Sequence, residues 1–237
     1  MPIYRLTKQI AFPHPNDADA DGLLAIEGDL SPQRVLLAYA QGIFPWPHEG
    51  LPLLWFSPDP RMVLLPSELH ISRSLRRTIN KGGFEVRFDT AFNRVMQACA
   101  ATPRAGQDGT WVTDEMMHAY GCLHDLGFAH SAEVWVDGEL GGGLYGVSLG
   151  AAFFGESMFA QRSNASKVAF VHLVRQLHRW GFHFVDCQMH TDHLARFGAI
   201  EWSRRRFLQA LNNALLVPTR RGAWTDINRG EAGILSL

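Results

Sequence analysis

Three polar side chains that could take part in a reaction stand together in the segment FVDCQMH, residues 184–190. Asp186 supplies a carboxylate, Cys187 a thiol and Gln188 an amide, within an otherwise apolar run. The segment predicts a β-strand, on which successive side chains point to opposite faces. Asp186 and Gln188 are therefore expected on one face and Cys187 on the other. Either this pair lines a cleft, or the segment is an edge strand with a solvated polar face.

A second candidate strand, FFGESMF, also carries an acidic residue inside an apolar run. The same alternation predicts Phe154, Glu156 and Met158 on one face, and Gly155 would let a ligand or a backbone approach closely. If the two strands are neighbours, Glu156 converges with the polar pair of the first strand. An anionic, partly apolar cleft of this kind suits a cationic amine, whereas a solvated surface carboxylate is the alternative.

A row of basic residues lies on one face of a short helix that Ser72 is expected to cap. Its members are Arg73, Arg76, Arg77 and Lys81. Such a row can contact phosphates, or it can be a solvated helix face. The formal net charge of the chain is −1, so a nucleic-acid partner would have to be bound by a local patch of this kind.

Aromatic residues are concentrated in segments rich in Pro and Gly, where they can stack on a base or an adenosine. Six residues are of this type: Tyr39, Phe44, Trp46, Trp55, Phe56 and Trp111. Core packing is the alternative for most of them. Trp46 and Trp111 lie in predicted loops and are the better candidates.

The chain offers little for a metal or a disulfide framework. Cys187, His190 and His193 have a C-x-x-H-x-x-H spacing that matches no common zinc pattern, so no metal is predicted. Three scattered cysteines are too few for a disulfide framework. The start MPIYRLTKQIAF has no long apolar core, and no window approaches the roughly 20 apolar residues of a membrane helix. We expect a cytoplasmic protein without a membrane segment.

The elements that must position these residues predict an α+β fold with a mainly antiparallel sheet flanked by helices. In the C-terminal part, three strands are followed by a helix, a strand, a helix and a strand, which resembles GCN5-related acyltransferases in outline. The connector IFPWPHEGLPLLWFSPDPR is dense in Pro and aromatic residues and suggests a boundary near residue 62. Residues 1–62 are expected to form a small N-terminal α/β lobe, and residues 63–237 an acyltransferase-like catalytic domain.

Ten short segments together resemble one family of enzymes. In chain order they are GDLSP, GIFPW, SPDPR, LHISRSL, GTWVT, EVWVDGELGGGLYGV, FFGESMF, NASK, DCQ and GAIE. They resemble the bacterial leucyl/phenylalanyl-tRNA–protein transferases, from about residue 4 to residue 216. The combination of FGESMF, NASK and DCQ is highly specific, whereas any one segment alone would be a weak signal.

The resemblance implies an aminoacyltransferase that moves Leu or Phe from aminoacyl-tRNA to the N-terminal Arg or Lys of acceptor proteins, which marks them for degradation. The donor is an ester on the 3′ adenosine of the tRNA, and no cofactor is implied. The resemblance assigns Gln188 to the attacking amine, with Asp186 in support. Glu156 is expected to take the Arg or Lys side chain of the acceptor or to hold its amine.

The remaining substrate contacts are predicted as three groups, and a monomer is expected. The aminoacyl pocket is assigned to Leu144, Phe153, Gly155, Met158, Phe170, Leu173, Leu177 and Val185. The candidates for the 3′ adenosine are Tyr39, Trp46, Trp111 and Tyr120. The basic row on helix 73–81 is expected to contact tRNA phosphates.

Two alternatives make different demands on the sequence. An acyl-CoA-dependent N-acyltransferase of the same fold would carry a Gly-rich pyrophosphate loop, but this chain has QRSNAS between its third meander strand and the following helix. A non-catalytic tRNA-binding module would not need Asp186 and Gln188 on one strand face.

Overall fold

The computed structural model describes residues 3–48, 50–102 and 112–225, and two β-sheets organise them. The smaller sheet comes from the N-terminal part of the chain. Its strands are β1 (Tyr4–Leu6), β2 (Leu23–Glu27), β3 (Phe44–Pro45) and β4 (Leu54–Phe56), in the order β1-β2-β4-β3. Only the β1–β2 pair is parallel. Helix α1 (Pro32–Ala40) follows β2 and begins at its proline, whose fixed φ suits the first helical position.

The larger sheet has seven strands in the order β11-β5-β10-β9-β8-β7-β6. They are β5 (Arg61–Leu64), β6 (Glu85–Phe88), β7 (Ala129–Val136), β8 (Glu139–Leu149), β9 (Ala152–Ala160), β10 (Phe184–Gln188) and β11 (Ile200–Trp202). Every neighbouring pair is antiparallel except β9–β10. The α+β class with a mainly antiparallel sheet is therefore confirmed for the described residues.

Helices cover both faces of the larger sheet. They are α2 (Arg73–Lys81), α3 (Phe92–Ala100), α4 (Asp114–Asp125), α5 (Ala165–Arg179), α6 (Asp192–Ala195) and α7 (Arg204–Leu215). The long helix α5 packs its apolar stripe on β7, β8 and β9, with α2 beside it. Helices α3 and α4, with α1 and α7, lie on the opposite face. None of the helices in the described part of the chain is long and apolar enough to cross a membrane.

Strand β9 contains a bulge at the acidic residue that the sequence singled out. Tyr145 pairs with Ser157 and Gly146 with Gly155, so Glu156 is the extra residue. A Cβ atom on Gly146 would lie only 2.2 Å from the carbonyl oxygen of the neighbouring strand, so a residue without a side chain is required there.

This bulge shifts the alternation of side chains along β9. Phe154 packs in the cluster on the α3 side of the sheet, whereas Met158 packs against the cluster on the α5 side. The prediction that Phe154, Glu156 and Met158 share one face is therefore wrong. A period of two holds only where no residue is inserted between the pairs.

Strand β10 is irregular at its polar end for the same reason. Asp186 pairs with Val63 and Gln188 with Met62, so Cys187 is the extra residue. Gln188 adopts a φ of 60°, in the left-handed region that residues other than glycine seldom enter. The alternation that predicted one face for Asp186 and Gln188 thus ends at Cys187.

Candidate active site

A cavity of about 590 Å³ lies along β9 and β10, beside the inner face of α5. Seven of the eight residues predicted for the aminoacyl pocket line it: Leu144, Phe153, Gly155, Met158, Phe170, Leu173 and Val185. Leu177 is buried in the same apolar cluster but does not reach the wall. The cavity therefore has an apolar section large enough for a Leu or Phe side chain.

The polar residues of the two irregular strand segments meet at one end of this cavity. Glu156, Asp186, Cys187 and Gln188 all contribute to its lining. Cys187 packs against the apolar cluster on the α5 side of the sheet, whereas Asp186 pairs with Arg61, which lies against Phe44 and Phe207 of the opposite cluster. The thiol and the Asp186 carboxylate therefore point to opposite faces, as expected. Convergence of Glu156 with Asp186 and Gln188 depends on the pairing of β9 with β10, which places Asp186 beside Phe154.

Asp186 forms a buried ion pair with Arg61, a residue that the sequence did not single out. Arg61 Nε donates to Asp186 Oδ1 at 2.8 Å, and Nη2 donates to Oδ2 at 2.7 Å. The guanidinium lies between the rings of Phe44 and Phe207, 4.7 and 4.6 Å from their centroids. It also donates to the carbonyl oxygen of Gly42 at 3.2 Å. Arg61 therefore balances the charge of the Asp186 carboxylate and holds it in place, and Phe44 of the smaller sheet packs against the guanidinium.

Gln188 is held at two points, which together define where its amide points. Its backbone N–H donates to Asp186 Oδ1 at 2.9 Å, which supports the left-handed turn of the chain. Its side-chain Nε2 donates to Glu156 Oε1 at 2.8 Å. The amide oxygen of Gln188 is thereby directed away from Glu156. Asp186 thus supports Gln188 through its backbone N–H and not through its amide group.

Glu156 lies at the centre of a hydrogen-bonded group with two buried tyrosines. Tyr39 Oη donates to Glu156 Oε1 at 2.7 Å, and Tyr120 Oη is 3.2 Å from Oε2. The two tyrosine hydroxyl groups also bond to each other. Burial raises the pKa of Glu156 to about 8, against the lowering effect of these hydrogen bonds. The cleft is therefore neutral at Glu156 near pH 7, not anionic as the sequence suggested.

Cys187 has the properties of a packed thiol. Burial, together with the charge of Asp186, raises the pKa of the Cys187 thiol. Its Sγ lies 3.8 Å from the carbonyl oxygen of Val185. A thiol that stays protonated is a poor nucleophile, so the geometry favours direct attack by a substrate amine over a covalent enzyme intermediate at Cys187.

Three of the four aromatic candidates for the adenosine lie within the described residues, and they occupy two different settings. Tyr39 and Tyr120 are completely buried, so neither ring has an open face on which a base could stack. Trp46 lines the cavity and packs against Phe56 and His48. Trp111 lies outside the described residues. Among the described candidates, Trp46 is therefore the one that lines the cavity and could contact an adenosine there.

The basic row lies on α2, as expected from the sequence. Ser72 Oγ accepts a hydrogen bond from the backbone of Leu75, the one buried residue of this helix. The four basic side chains are exposed on the other side: Arg73, Arg76, Arg77 and Lys81. Since α2 packs on α5, whose inner face lines the cavity, the row lies on the same side of the sheet as the apolar pocket.

The described residues contain no group of three or more His, Cys, Asp or Glu side chains arranged to hold a metal ion. His190 and His193 border the cavity with Cys187 but do not form a ligand set with it. The His190 ring nitrogens Nε2 and Nδ1 instead lie 3.7 Å from Asp192 Oδ1 and 3.3 Å from Glu201 Oε1.

Arg61 is the functional residue that sequence reasoning missed. It begins the apolar strand RMVL, directly after SPDP, and its side chain is 1% exposed. A charged residue at the start of a buried strand implies a buried partner, because an unpaired charge in the core costs several kcal/mol. That signal was present in the sequence, but it did not identify the partner, which lies 125 residues away.

Comparison with known proteins gives consistent matches over most of the chain. A family model described as leucyl/phenylalanyl-tRNA protein transferase matches residues 63–212, and a model of the N-terminal domain of the same family matches residues 28–59. The chain is 60% identical over 228 residues to the leucyl/phenylalanyl-tRNA–protein transferase of Myxococcus xanthus (strain DK1622), covering 95% of this chain and 97% of that one. It is 58% identical over 231 residues to the enzyme of the same name from Anaeromyxobacter sp. (strain Fw109-5), covering 98% of each.

One solved structure shows a much weaker similarity to this chain. The structure of L-PGS from Bacillus licheniformis aligns with a TM-score of 0.39 and 11% identity, over 73% of this chain and 57% of that one. A score of this size does not establish a common fold.

Proposed function

Because the chain belongs to the leucyl/phenylalanyl-tRNA–protein transferase family, we propose that it moves Leu or Phe from aminoacyl-tRNA to the N-terminal Arg or Lys of acceptor proteins. The protein is thus an aminoacyltransferase. One observation in the site carries the assignment: an apolar cavity ends at an amide and a carboxyl group that are held in place by buried partners. Addition of the new residue marks the acceptor for degradation, which is the role implied by the family.

The reaction requires alignment more than it requires a strong base. The neutral α-amine of the acceptor attacks the ester carbonyl carbon, so a C–N bond forms and the bond to the ribose oxygen breaks. The amine gives up a proton, and the departing ribose oxygen takes up a proton. An α-amine has a pKa of about 7.7–8.0, so a useful fraction is neutral near pH 7. Holding the two reactants in one geometry supplies much of the remaining acceleration.

We assign Gln188 as the residue that contacts the attacking amine. Its Nε2 is occupied by Glu156, so its Oε1 is the atom available to accept a hydrogen bond from the amine. Asp186 is paired with Arg61 through both carboxylate oxygens and therefore serves as a positioning residue rather than as a base. Glu156 is placed beside the N-terminal residue of the acceptor.

The aminoacyl side chain is proposed to enter the apolar section of the cavity. Phe170 and Leu173 on α5 face Val185 and Phe153 across it. An unbranched or aromatic side chain fills such a slot, whereas a β-branched side chain is crowded at Cβ. Discrimination by size and shape in an apolar pocket contributes about 1–3 kcal/mol.

The tRNA is proposed to meet two parts of the protein. The exposed basic row of α2 would contact phosphates, which position the tRNA without reading its sequence. Trp46 would contact the 3′ adenosine at the cavity wall. Trp111, which belongs to the same prediction, lies outside the described residues.

Further proposals concern the organisation of the chain. A division into residues 1–62 and 63–237 is supported by the two family models, which match on either side of it, and by the separate small sheet. A GCN5-related arrangement is supported by the mainly antiparallel sheet with helices on both faces. A monomer in the cytoplasm is the simplest state for an enzyme that takes aminoacyl-tRNA and a protein N-terminus.

Transfer of label tests the proposed function directly. Phe-tRNA labelled in its phenylalanine is mixed with the protein and a peptide that begins with Arg. Label is expected in the peptide, and RNase treatment of the donor beforehand should abolish the transfer. A peptide with an acetylated N-terminus is the matched control. Transfer from an acyl-CoA, or tight tRNA binding without transfer, would identify one of the two alternatives instead.

A further inference from the structure

We propose that Tyr39, Tyr120 and Glu156 form a closed ring of hydrogen bonds that keeps one proton on Glu156, and that this neutral carboxyl group presents the Gln188 amide oxygen to the acceptor amine. The inference deepens the proposed function and rests on it, because Gln188 is taken to face the amine. It gives the two tyrosines, which the sequence suggested for the adenosine, a role as positioning residues.

Counting hydrogens leads to the stored proton. Three oxygen–oxygen contacts close the ring: Tyr39 with Glu156 Oε1, Tyr120 with Glu156 Oε2, and the two tyrosine hydroxyl groups with each other. Each hydrogen bond needs one hydrogen, and the two tyrosines supply two. The third hydrogen has to come from the carboxyl group, which then donates rather than only accepts.

The hydrogen bond from Gln188 Nε2 to Glu156 Oε1 determines which carboxyl oxygen carries the proton. Glu156 Oε1 already accepts from Tyr39 and from Gln188 Nε2, so the proton lies on Oε2. Oε2 donates to Tyr120, Tyr120 donates to Tyr39, and Tyr39 donates back to Oε1. Each tyrosine hydroxyl group in this ring then donates once and accepts once, and the carboxyl group donates from Oε2 and accepts at Oε1. An ionised Glu156 would leave two buried oxygens in contact with no hydrogen between them, which is unfavourable.

Burial agrees with this count. Both tyrosine side chains are 0% exposed, so water cannot replace a missing hydrogen bond within the ring. Burial is the main cause of the raised pKa of Glu156, and it also raises the pKa of both tyrosines. The other titratable groups that line the same cavity belong to β8, to β10 and to the segment after β10: Tyr145, Asp186, Cys187, His190 and His193. The charge of Asp186 is offset by its ion pair with Arg61.

The neutral state has a chemical consequence at the reacting amine. A carboxylate beside the amine would stabilise its ammonium form, which has no lone pair and cannot attack. Each unit by which the amine pKa rises would reduce its reactive fraction tenfold. A protonated Glu156 avoids this loss, while Gln188 Nε2 still donates to Oε1 and keeps the amide oxygen directed at the amine.

The pH profile of single-turnover transfer from Phe-tRNA to an Arg-peptide tests the inference. For the wild type we expect the rate at saturating peptide to rise up to about pH 8 as the amine loses its proton, and then to fall as Glu156 ionises. At pH 9 the fall should be on the order of tenfold, because one pH unit above its pKa only about a tenth of a group keeps its proton. Ester hydrolysis is measured in parallel without enzyme.

Glu156→Gln separates charge from hydrogen bonding. A glutamine amide can donate to Tyr120 and accept from Tyr39 and Gln188, as the protonated carboxyl group does, but it cannot ionise. We expect the descending limb to disappear and the rate at pH 7 to fall by less than about tenfold. Glu156→Ala should lose on the order of 10²–10³-fold in kcat, since it removes the carboxyl group that bonds to both tyrosines and to Gln188.

Tyr39→Phe and Tyr120→Phe test the ring from its other side. Each should lower kcat by tenfold or more with little change in the KM for Phe-tRNA, because only the support of Gln188 is weakened. Tyr4→Phe removes an exposed hydroxyl that bonds to Asp17 at 3.5 Å and is the matched control. Equal effects of Tyr4→Phe and Tyr39→Phe would contradict the inference.

Infrared difference spectra between the wild type and Glu156→Gln test the stored proton without any assay of activity. We expect a carbonyl band of a protonated carboxyl group at pH 7 that disappears above pH 8. Absence of this band, or a Glu156→Gln variant as slow as Glu156→Ala, would overturn the inference while leaving the proposed function standing. A wild type that transfers nothing from Phe-tRNA would instead remove the proposed function, and the infrared result would still decide whether the ring holds a proton.

Discussion

Replacement of Arg61 by methionine should destabilise the fold far more than loss of an ordinary ion pair. Arg61 is 1% exposed and Asp186 is 0% exposed, and two hydrogen bonds of 2.7–2.8 Å join them. Without the guanidinium, Asp186 becomes an unpaired charge in the core. Breaking a buried pair in this way costs about 3–5 kcal/mol of the free energy of unfolding. For a chain of 237 residues this corresponds to a decrease in Tm of roughly 6–20 °C.

The chain contains a matched control for this experiment. Arg87 and Glu85 also form a doubly hydrogen-bonded pair, at 2.7 and 2.8 Å, and Arg87 also lies over an aromatic ring, that of Trp135. The difference is burial, because the side chains of Arg87 and Glu85 are 34% and 61% exposed. Arg87→Met should therefore cost no more than about 1 kcal/mol.

Urea unfolding followed by circular dichroism measures both variants, and a double-mutant cycle isolates the pair. Asp186→Asn alone leaves Arg61 unpaired and should also be strongly destabilising. The double variant Arg61→Met with Asp186→Asn removes both charges of the pair, so it should be more stable than the sum of the single changes predicts, by about 2 kcal/mol or more. Additive single effects, or equal losses for Arg61→Met and Arg87→Met, would refute the reasoning.

Three further outcomes are expected. Gln188→Ala should lose turnover equivalent to about 2.7–4 kcal/mol while keeping most of its tRNA affinity. Cys187→Ala, which removes a protonated thiol, should keep most of its turnover. An inactive but folded Cys187→Ala would indicate thiol chemistry. Arg76→Ala with Arg77→Ala should weaken binding to many tRNAs alike, and the slope of log affinity against log salt concentration should flatten by somewhat less than about one unit per lost contact. The reaction with an aminoacyl-adenosine donor, which has no stem to bind, should be spared. An unchanged slope would indicate that the basic row is a solvated helix face. Exhaustive treatment with EDTA should leave transfer intact, and a loss that zinc restores would contradict the prediction that no metal is needed.

Local sequence signals predicted several elements because the interactions concerned lie within a few residues. Thr113 stands directly before helix α4 and is a residue type preferred at N-caps, and its side chain accepts from the backbone of Met116 at 3.2 Å. Asp137 and Gly138 form a dipeptide that is typical of a tight hairpin turn, and both have positive φ. The apolar residues that line the cavity follow from the same kind of pattern, since strand and helix periodicities sort side chains onto buried faces.

The N-terminus of α3 shows where local signals are insufficient. Asp89 and Thr90 precede this helix and are residue types that often cap helices, but the backbone just before the helix is bonded from β7 instead. Glu133 Oε1 accepts from the backbone of Thr90 and Ala91 at 2.9 and 2.8 Å. A side chain more than 40 residues away thus fixes the chain just before α3, whose N-cap residue Ala91 forms no side-chain capping hydrogen bond. No local pattern encodes that contact.

The amino-acid sequence by itself determined the family, the α+β class, and the residue types that meet at the site. Only the tertiary structure decided their arrangement: the bulges at Glu156 and Cys187, and partners for Asp186 and Glu156 that come from distant parts of the chain. Bulges depend on how neighbouring strands pair, and buried polar groups take whichever partner the packed core brings within reach. Both are set by contacts between elements, which the periodicity of a single element cannot specify.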